Sequence, residues 1–187
     1  MASGHKKVIL RRLRSHMPGA DILNGYLAPS GFVTGSGRSA VLELLDLDGR
    51  VQPIPLREIK MVSFVRDFNL ADRLNPERLL RRSFQSRPRA EGLQLRITFH
   101  DGNTLEGLAP LDLSLLDSAC DDAGLQFAPP DTRANTQRIY VPRAAIASLQ
   151  VLAVIGPSRA RKAAAAAAAA AEQEDLFTSL PPNSRIN

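Results

Sequence analysis

Arginine is the side chain in this sequence best placed to do chemistry. Six arginines crowd between Asn69 and Glu91 (Arg73, Arg78, Arg81, Arg82, Arg87 and Arg89), offset there only by Asp72, Glu77 and Glu91. Lys6, Lys7, Arg11, Arg12 and Arg14 form a second basic run near the start. A guanidinium is a planar, permanently charged fork of donors that fits phosphate oxygens two at a time. Such residues hold a polyanion and do not break its bonds. The charge balance points the same way. The net charge is +5, and residues 1–90 carry 16 Lys/Arg against 8 Asp/Glu, whereas residues 91–187 carry 8 against 11. The asymmetry predicts a polyanion-facing first half, and a solvated basic surface with no dedicated partner accounts for it equally well.

The nucleic-acid-binding set predicted on this ground is Lys6, Lys7, Arg11, Arg12, Arg14, Arg81, Arg82, Arg87 and Arg89. Contacts of this kind go mainly to phosphate, so binding to RNA or DNA would be salt-sensitive and poorly sequence-specific. Tyr26 and Phe32 are the aromatic candidates for base stacking, and both are expected in the core.

Bond-making chemistry finds no such support. His5, His16 and His100 lack spaced partners for a metal, and Cys120 has no second thiol. Ser114 has no nucleophile-elbow context, and Gly35-Ser36-Gly37 reads as a loop tip because no P-loop lysine follows it. Asp121-Asp122 reads as a solvated acidic loop. The expectation is a protein that is not an enzyme and carries no cofactor or metal. A lone cysteine fits a reducing cytoplasm. Nothing near Met1 reads as a secretory signal, and no apolar run is long enough to span a membrane.

The elements that must position these arginines are strands, and they come twice. Shifted by 87 residues, Ile54, Pro55, Ile59, Val62, Phe64 and Val65 fall on Val141, Pro142, Ile146, Leu149, Val151 and Leu152. Upstream, Leu23-Asn24-Gly25-Tyr26-Leu27-Ala28-Pro29 is echoed by Leu105-Glu106-Gly107-Leu108-Ala109-Pro110. Repeats of this kind mark a duplicated small unit. Unit one is expected over residues 6–68, with strands at Lys7–Leu13, Asn24–Phe32, Ala40–Leu45, Arg50–Ile54 and Lys60–Val65, a hairpin at Asp46-Leu47-Asp48-Gly49, and a tight or 3₁₀ turn at Pro55–Ile59. Unit two is expected over 92–156. Its first strand places Leu93, Leu95, Ile97 and Phe99 on one face, and Asp101-Gly102 turns it. Strands follow at Thr104–Leu108, Leu111–Leu116, Leu125–Phe127, Arg138–Val141 and Ala147–Ile155. The linker, 69–91, is predicted to hold a short helix capped by Asn75 with Pro76 at its first position. The tail, 157–187, carries nine alanines, Ala163–Ala171, whose flanking charges oppose a helix dipole, so it reads as a flexible, at most partly helical spacer.

The strand order of each unit resembles the Sm-like and SH3-like small β-barrels. Phe99-His100-Asp101-Gly102-Asn103-Thr104-Leu105-Glu106-Gly107 is similar to the Sm strand–turn–strand segment, in which the later glycine lets the second strand bend. The resemblance implies two tandem barrels. It carries over no base-stacking site, because the Sm RNA-contacting Asn and Arg-Gly pair have no counterpart here. The whole chain also looks like an uncharacterised bacterial family. Arg78 and Arg82 have the RxxxR spacing of PilZ domains, and Asp112-Leu113-Ser114 resembles their second motif, with Asp117 where that motif has Gly. This likeness implies a cyclic di-GMP receptor using Arg78, Arg82, Asp112 and Ser114. Gln173-Glu174-Asp175-Leu176-Phe177 resembles the bacterial sliding-clamp-binding peptide, with Gln173, Asp175, Leu176 and Phe177 as docking residues.

Three functions stay open at this point: a binding or adaptor module for nucleic acid, a cyclic di-GMP receptor, and a scaffold that docks a protein partner through its tail. Barrels packed face to face within one chain and barrels whose edges assemble into homo-oligomers are both compatible with the pattern.

Overall fold

The structure, a computed structural model, describes residues 4–13, 21–28, 31–72, 77, 80–111, 124–131 and 133–156. Eleven strands and three 3₁₀ turns make up the regular structure of these residues. The run Val8-Ile9-Leu10 in β1 (Lys6–Arg12) shows why β-structure wins: all three side chains are fully buried, with Val8 and Leu10 in one cluster and Ile9 in another beside Val65 and Phe68. A strand covered on both faces reads as a continuous apolar run.

β1 pairs antiparallel with β2 (Ile22–Leu27) and with β6 (Ile59–Val65). β2 pairs with β4 (Val41–Asp46), which also holds β3 (Val33–Thr34) and β5 (Val51–Pro55). The same pattern recurs downstream. β7 (Gly92–Phe99) pairs with β8 (Thr104–Ala109) and with β11 (Ile146–Ile155). A bridge between Leu108 and Ala128 ties β8 to the residue that follows β9 (Leu125–Phe127), and β9 pairs with β10 (Thr136–Val141). Each pattern turns into its last strand through a 3₁₀ turn, Leu56–Glu58 before β6 and Arg143–Ala145 before β11.

The two patterns are joined edge to edge. β10 pairs antiparallel with β6, Tyr140 lying opposite Val62 and Arg138 opposite Phe64. The cores cross the same seam. Tyr140 belongs to the cluster of Val8, Leu42 and Phe64, and Met61 to the cluster of Leu95, Ile97 and Phe127. The Tyr140 ring meets Phe32 edge-on at 5.3 Å, and burial pushes its phenol pKa well up.

Three expectations need correction. The sheets are open, an eight-stranded one containing β6 and β10 and a three-stranded one of β11, β7 and β8, not closed barrels. No helix forms from Leu80 to Glu91, which runs through bends, while the helix start at Asn75-Pro76 lies outside the described residues. The reason is local: Glu106 captures this segment through backbone groups that a helix would need for itself. The Glu106 N–H donates to the Arg82 carbonyl at 2.7 Å, and the Phe84 N–H donates to Glu106 Oε2 at 3.0 Å. The second strand is also shorter than expected, and the Gly-rich loop after it contains β3 and a 3₁₀ turn at Gly37–Ser39. The strand expected at Leu111–Leu116 falls, from residue 112 on, outside the described residues.

Candidate nucleic-acid interface

Both hairpin turns are built by one device. Asp46 Oδ1 accepts the N–H groups of Asp48 (3.0 Å) and Arg50 (2.8 Å), and Asp101 Oδ1 accepts the N–H of Asn103 (3.1 Å). Gly49 and Gly102 take the positive φ, 81° and 79°, that each turn requires. The second turn also recruits a cation: Asp101 pairs with Lys60 of β6, whose ammonium lies 4.9 Å from the centre of the Phe99 ring.

This turn closes one side of a pocket of about 310 Å³ lined by Arg11, Lys60, Glu77 and Arg82. Each basic group there has a partner. Glu77 is buried and receives Arg11 Nε and Nη2 at 2.5 and 2.6 Å. Arg82 Nη1 donates to Asn103 Oδ1 at 3.1 Å. The pocket is therefore a clasp holding the linker to the sheet, with Arg11 and Lys60 paired to carboxylates and Arg82 to a neutral amide. The hydrogen bond from Arg11 to Glu77 raises the Arg11 pKa against the opposing effect of burial.

A second clasp fixes the linker further along. Glu106 Oε1 accepts from Arg96 Nη2 at 2.8 Å while Oε2 takes the Phe84 N–H. Burial pushes the carboxyl pKas of Glu106 and Asp101 up, but hydrogen bonds outweigh it. Those from Phe84 and Arg96 hold Glu106 below its ordinary 4.5, and those from Lys60 and Asn103 bring Asp101 from 3.8 to about 2. Both groups are harder to protonate folded than unfolded, so their stabilisation is complete above their unfolded values. It is lost as pH falls through the folded ones. Urea unfolding midpoints should hold steady down to about pH 4.5 and drop from there towards pH 2, and Asp101→Asn should flatten the lower part of that drop.

The predicted basic residues divide into two groups. Lys6 is exposed on β1, Lys7 lies 3.8 Å from Asp67 and over the Phe68 ring, and Arg12 is half-buried. Arg11 and Arg82 belong to the clasp. Arg81, Arg87 and Arg89, all exposed, line one groove of about 370 Å³ with Phe84, Pro129 and Pro130, although Arg81 also approaches Asp131 at 3.8 Å. Phe32 is a buried core residue, whereas Tyr26 is half-buried at the margin of the cluster of Ile9, Val65 and Phe68, edge-on to Phe68 at 5.3 Å. Arg14, Arg78, Asp112, Ser114, Gln173, Asp175, Leu176 and Phe177 lie outside the described residues.

Sequence reasoning missed a third basic site. The two 3₁₀ turns at Leu56–Glu58 and Arg143–Ala145 come together across the seam. With the Gly37–Ser39 turn and the tip of β7 they border a groove of about 630 Å³ lined by Arg38, Arg57, His100 and Arg143. Leu56 and Pro142 are its buried members, and among the described residues no carboxylate lines it. The arginines come from three turns spread over 105 residues of sequence, from Arg38 to Arg143, so no local run announces them. The usable signal was the repeat itself, which puts both turns at one structural position.

Among the described residues no group of three His, Cys, Asp or Glu could hold a metal, and no helix is long and apolar enough to cross a membrane. The chain belongs to a family of unknown function, DUF6982, whose match covers residues 4–153. That span takes in both arginine-lined grooves and stops before the alanine block. No curated protein and no solved structure matches the chain.

Proposed function

We propose that this chain is a non-enzymatic nucleic-acid-binding module that grips the phosphate backbone in the groove between its 3₁₀ turns. The observation that carries this reading is the convergence of Arg38, Arg57 and Arg143 with His100 in one open groove. Guanidinium groups gathered there from distant parts of the chain present charge-assisted donors to one ligand, and a polyanion can engage them together. The Arg81, Arg87 and Arg89 groove supplies a second contact of the same chemistry, with Phe84 and two prolines as an apolar floor. The repeated strand pattern fits this role, since its two copies present their equivalent 3₁₀ turns to one groove.

The test is fluorescence anisotropy of labelled single- and double-stranded RNA and DNA across a salt series. Wild type should bind at low salt and weaken steeply as salt rises. For duplex DNA, replacing Arg38, Arg57 and Arg143 by Gln should reduce the slope of log K against log salt by about 2–3, since each lost phosphate contact contributes about 0.9. Replacing Arg81, Arg87 and Arg89 should cost less, because Arg81 has a carboxylate nearby. No binding at low salt, or full binding by the first triple variant, refutes the assignment.

A further inference from the structure

Among the described residues the repeat leaves one strand without the neighbour that its equivalent has. β6 and β11 hold the same place in the two pairing patterns, and Val62 and Phe64 correspond to Leu149 and Val151 by the 87-residue shift. β6 is covered on its second edge by β10. β11 pairs with β7 and with no other described strand. The backbone direction can be worked out. Phe99 N–H donates to Asn103 O of the β7–β8 hairpin, so Thr98 and Arg96 turn their groups toward β11, where their register partners are Ser148 and Gln150. Antiparallel ladders alternate, so the N–H and C=O groups of Leu149 and Val151 point to the open edge. In β6 the Arg66 N–H donates to Asn135 O, which by the same alternation aims Phe64 and Val62 at β10.

The open edge is also apolar. Leu149, Val151, Leu152 and Val154 are 41, 59, 38 and 61 % exposed, and the ten residues of β11 include no charge and no proline. The register shifts between Ile146 and Ser148 and between Val151 and Ala153 leave residues 148–151 as the regular stretch of this edge, and an edge strand left to face water is ordinarily blunted by bulges, charge or proline. β5, the other end of this arrangement, is blunted in that way. Asp46 N–H donates to Arg50 O and Leu56 N–H to Ala40 O, so the even positions of β5 bond to β4 and the odd ones face out. Two odd positions are Pro53 and Pro55. Pro53 corresponds to Tyr140, the residue through which β10 meets Val62.

We infer that β11 is an interface for a second copy of this chain, the two β11 strands pairing antiparallel about a two-fold axis near Gln150, so that Leu149 of each copy meets Val151 of the other. The occupant follows from the two edges. A head-to-tail assembly repeating the β6–β10 join would seat β11 on β5, and the prolines remove the donors that join requires. Self-pairing needs no other edge, and an uncharged strand meets its own copy without repulsion. A two-fold contact closes on itself and stops at two copies.

Sedimentation equilibrium of the full chain over a concentration series tests this. The expected mass is that of two chains. Val151→Pro removes an outward donor without touching the β7 ladder, and Val151→Lys adds a charge while keeping the backbone. Each should halve the mass while far-UV circular dichroism and the thermal midpoint of the monomer stay those of a folded chain. A monomeric wild type overturns the inference, whether the edge is then covered by the chain's own residues or by a different protein. A dimer that survives both substitutions places the contact elsewhere and overturns it too. Masses that grow beyond two chains exclude two-fold closure.

Discussion

Gly107→Ala is expected to cost about 3 kcal/mol of folding stability, at the upper end for forcing one methyl into a packed core. Gly107 lies in β8, and a Cβ there would stand 2.0 Å from Cδ2 and 2.6 Å from Cε2 of Phe127. Phe127 is buried in the cluster of Leu95, Ile97 and Leu105, so its ring has nowhere to go. The contact names its own rescue. Phe127→Leu should cost stability alone, yet recover part of the loss when combined with Gly107→Ala, giving a favourable coupling of about 1 kcal/mol in a double-mutant cycle. Gly25, at the echoed position in β2, makes the control. Its Cβ would meet the Leu45 carbonyl oxygen at 2.5 Å, backbone that no side-chain exchange moves, so Gly25→Ala should be destabilising without a comparable single-residue rescue. Urea midpoints of these variants decide the matter, and a Gly107→Ala chain as stable as wild type would show that the ring does not occupy this place.

Those two glycines also show what the sequence could reveal. The echo around Gly25 and Gly107 and the 87-residue shift located both patterns, because a strand that must approach a neighbour closely can tolerate no Cβ, and a turn from one strand into the next needs the same Ile-Pro or Val-Pro entry each time. Local chemistry made the hairpins at Asp46 and Asp101 and the alternation of Leu95, Ile97 and Phe99 equally plain. Relations between distant residues were not plain. Nothing in β10 marks it as a neighbour of β6, since Arg138 and Tyr140 read like any half-buried strand. The linker's arginines look alike in sequence, but the structure gives Arg82 to the clasp and Arg81, Arg87 and Arg89 to a groove. Arg38, Arg57 and Arg143 stand singly, and only the meeting of the turns makes them one site. Periodicity reports which face a residue takes. It is silent on which other face it meets, and charge recognition depends on the second.

Glu77→Gln is expected to destabilise the chain by about 3 kcal/mol, for the reason that makes Arg11 a poor ligand for phosphate. The Glu77 side chain is 2 % exposed and the Arg11 side chain 28 %, and the carboxylate meets the guanidinium through both of its oxygens. Removing one charge strands the other in a half-buried site, which costs far more than removing both. Arg11→Met should therefore be about as damaging as Glu77→Gln, while Arg11→Met combined with Glu77→Leu should lie within about 1 kcal/mol of wild type, because apolar side chains of similar size can replace a buried pair at little cost. Chemical denaturation of the four chains reads this out, and a double variant that loses the sum of the two single losses would show that the two residues do not act as a pair. The same double variant separates structure from function. If Arg11 is spent on Glu77, losing both should leave nucleic-acid affinity and its salt dependence where they were, whereas the Arg38, Arg57 and Arg143 variant should lose both. A basic residue near the start of a basic chain is then not by itself a binding residue: its availability is set by the carboxylate that the fold brings to it from 66 positions away.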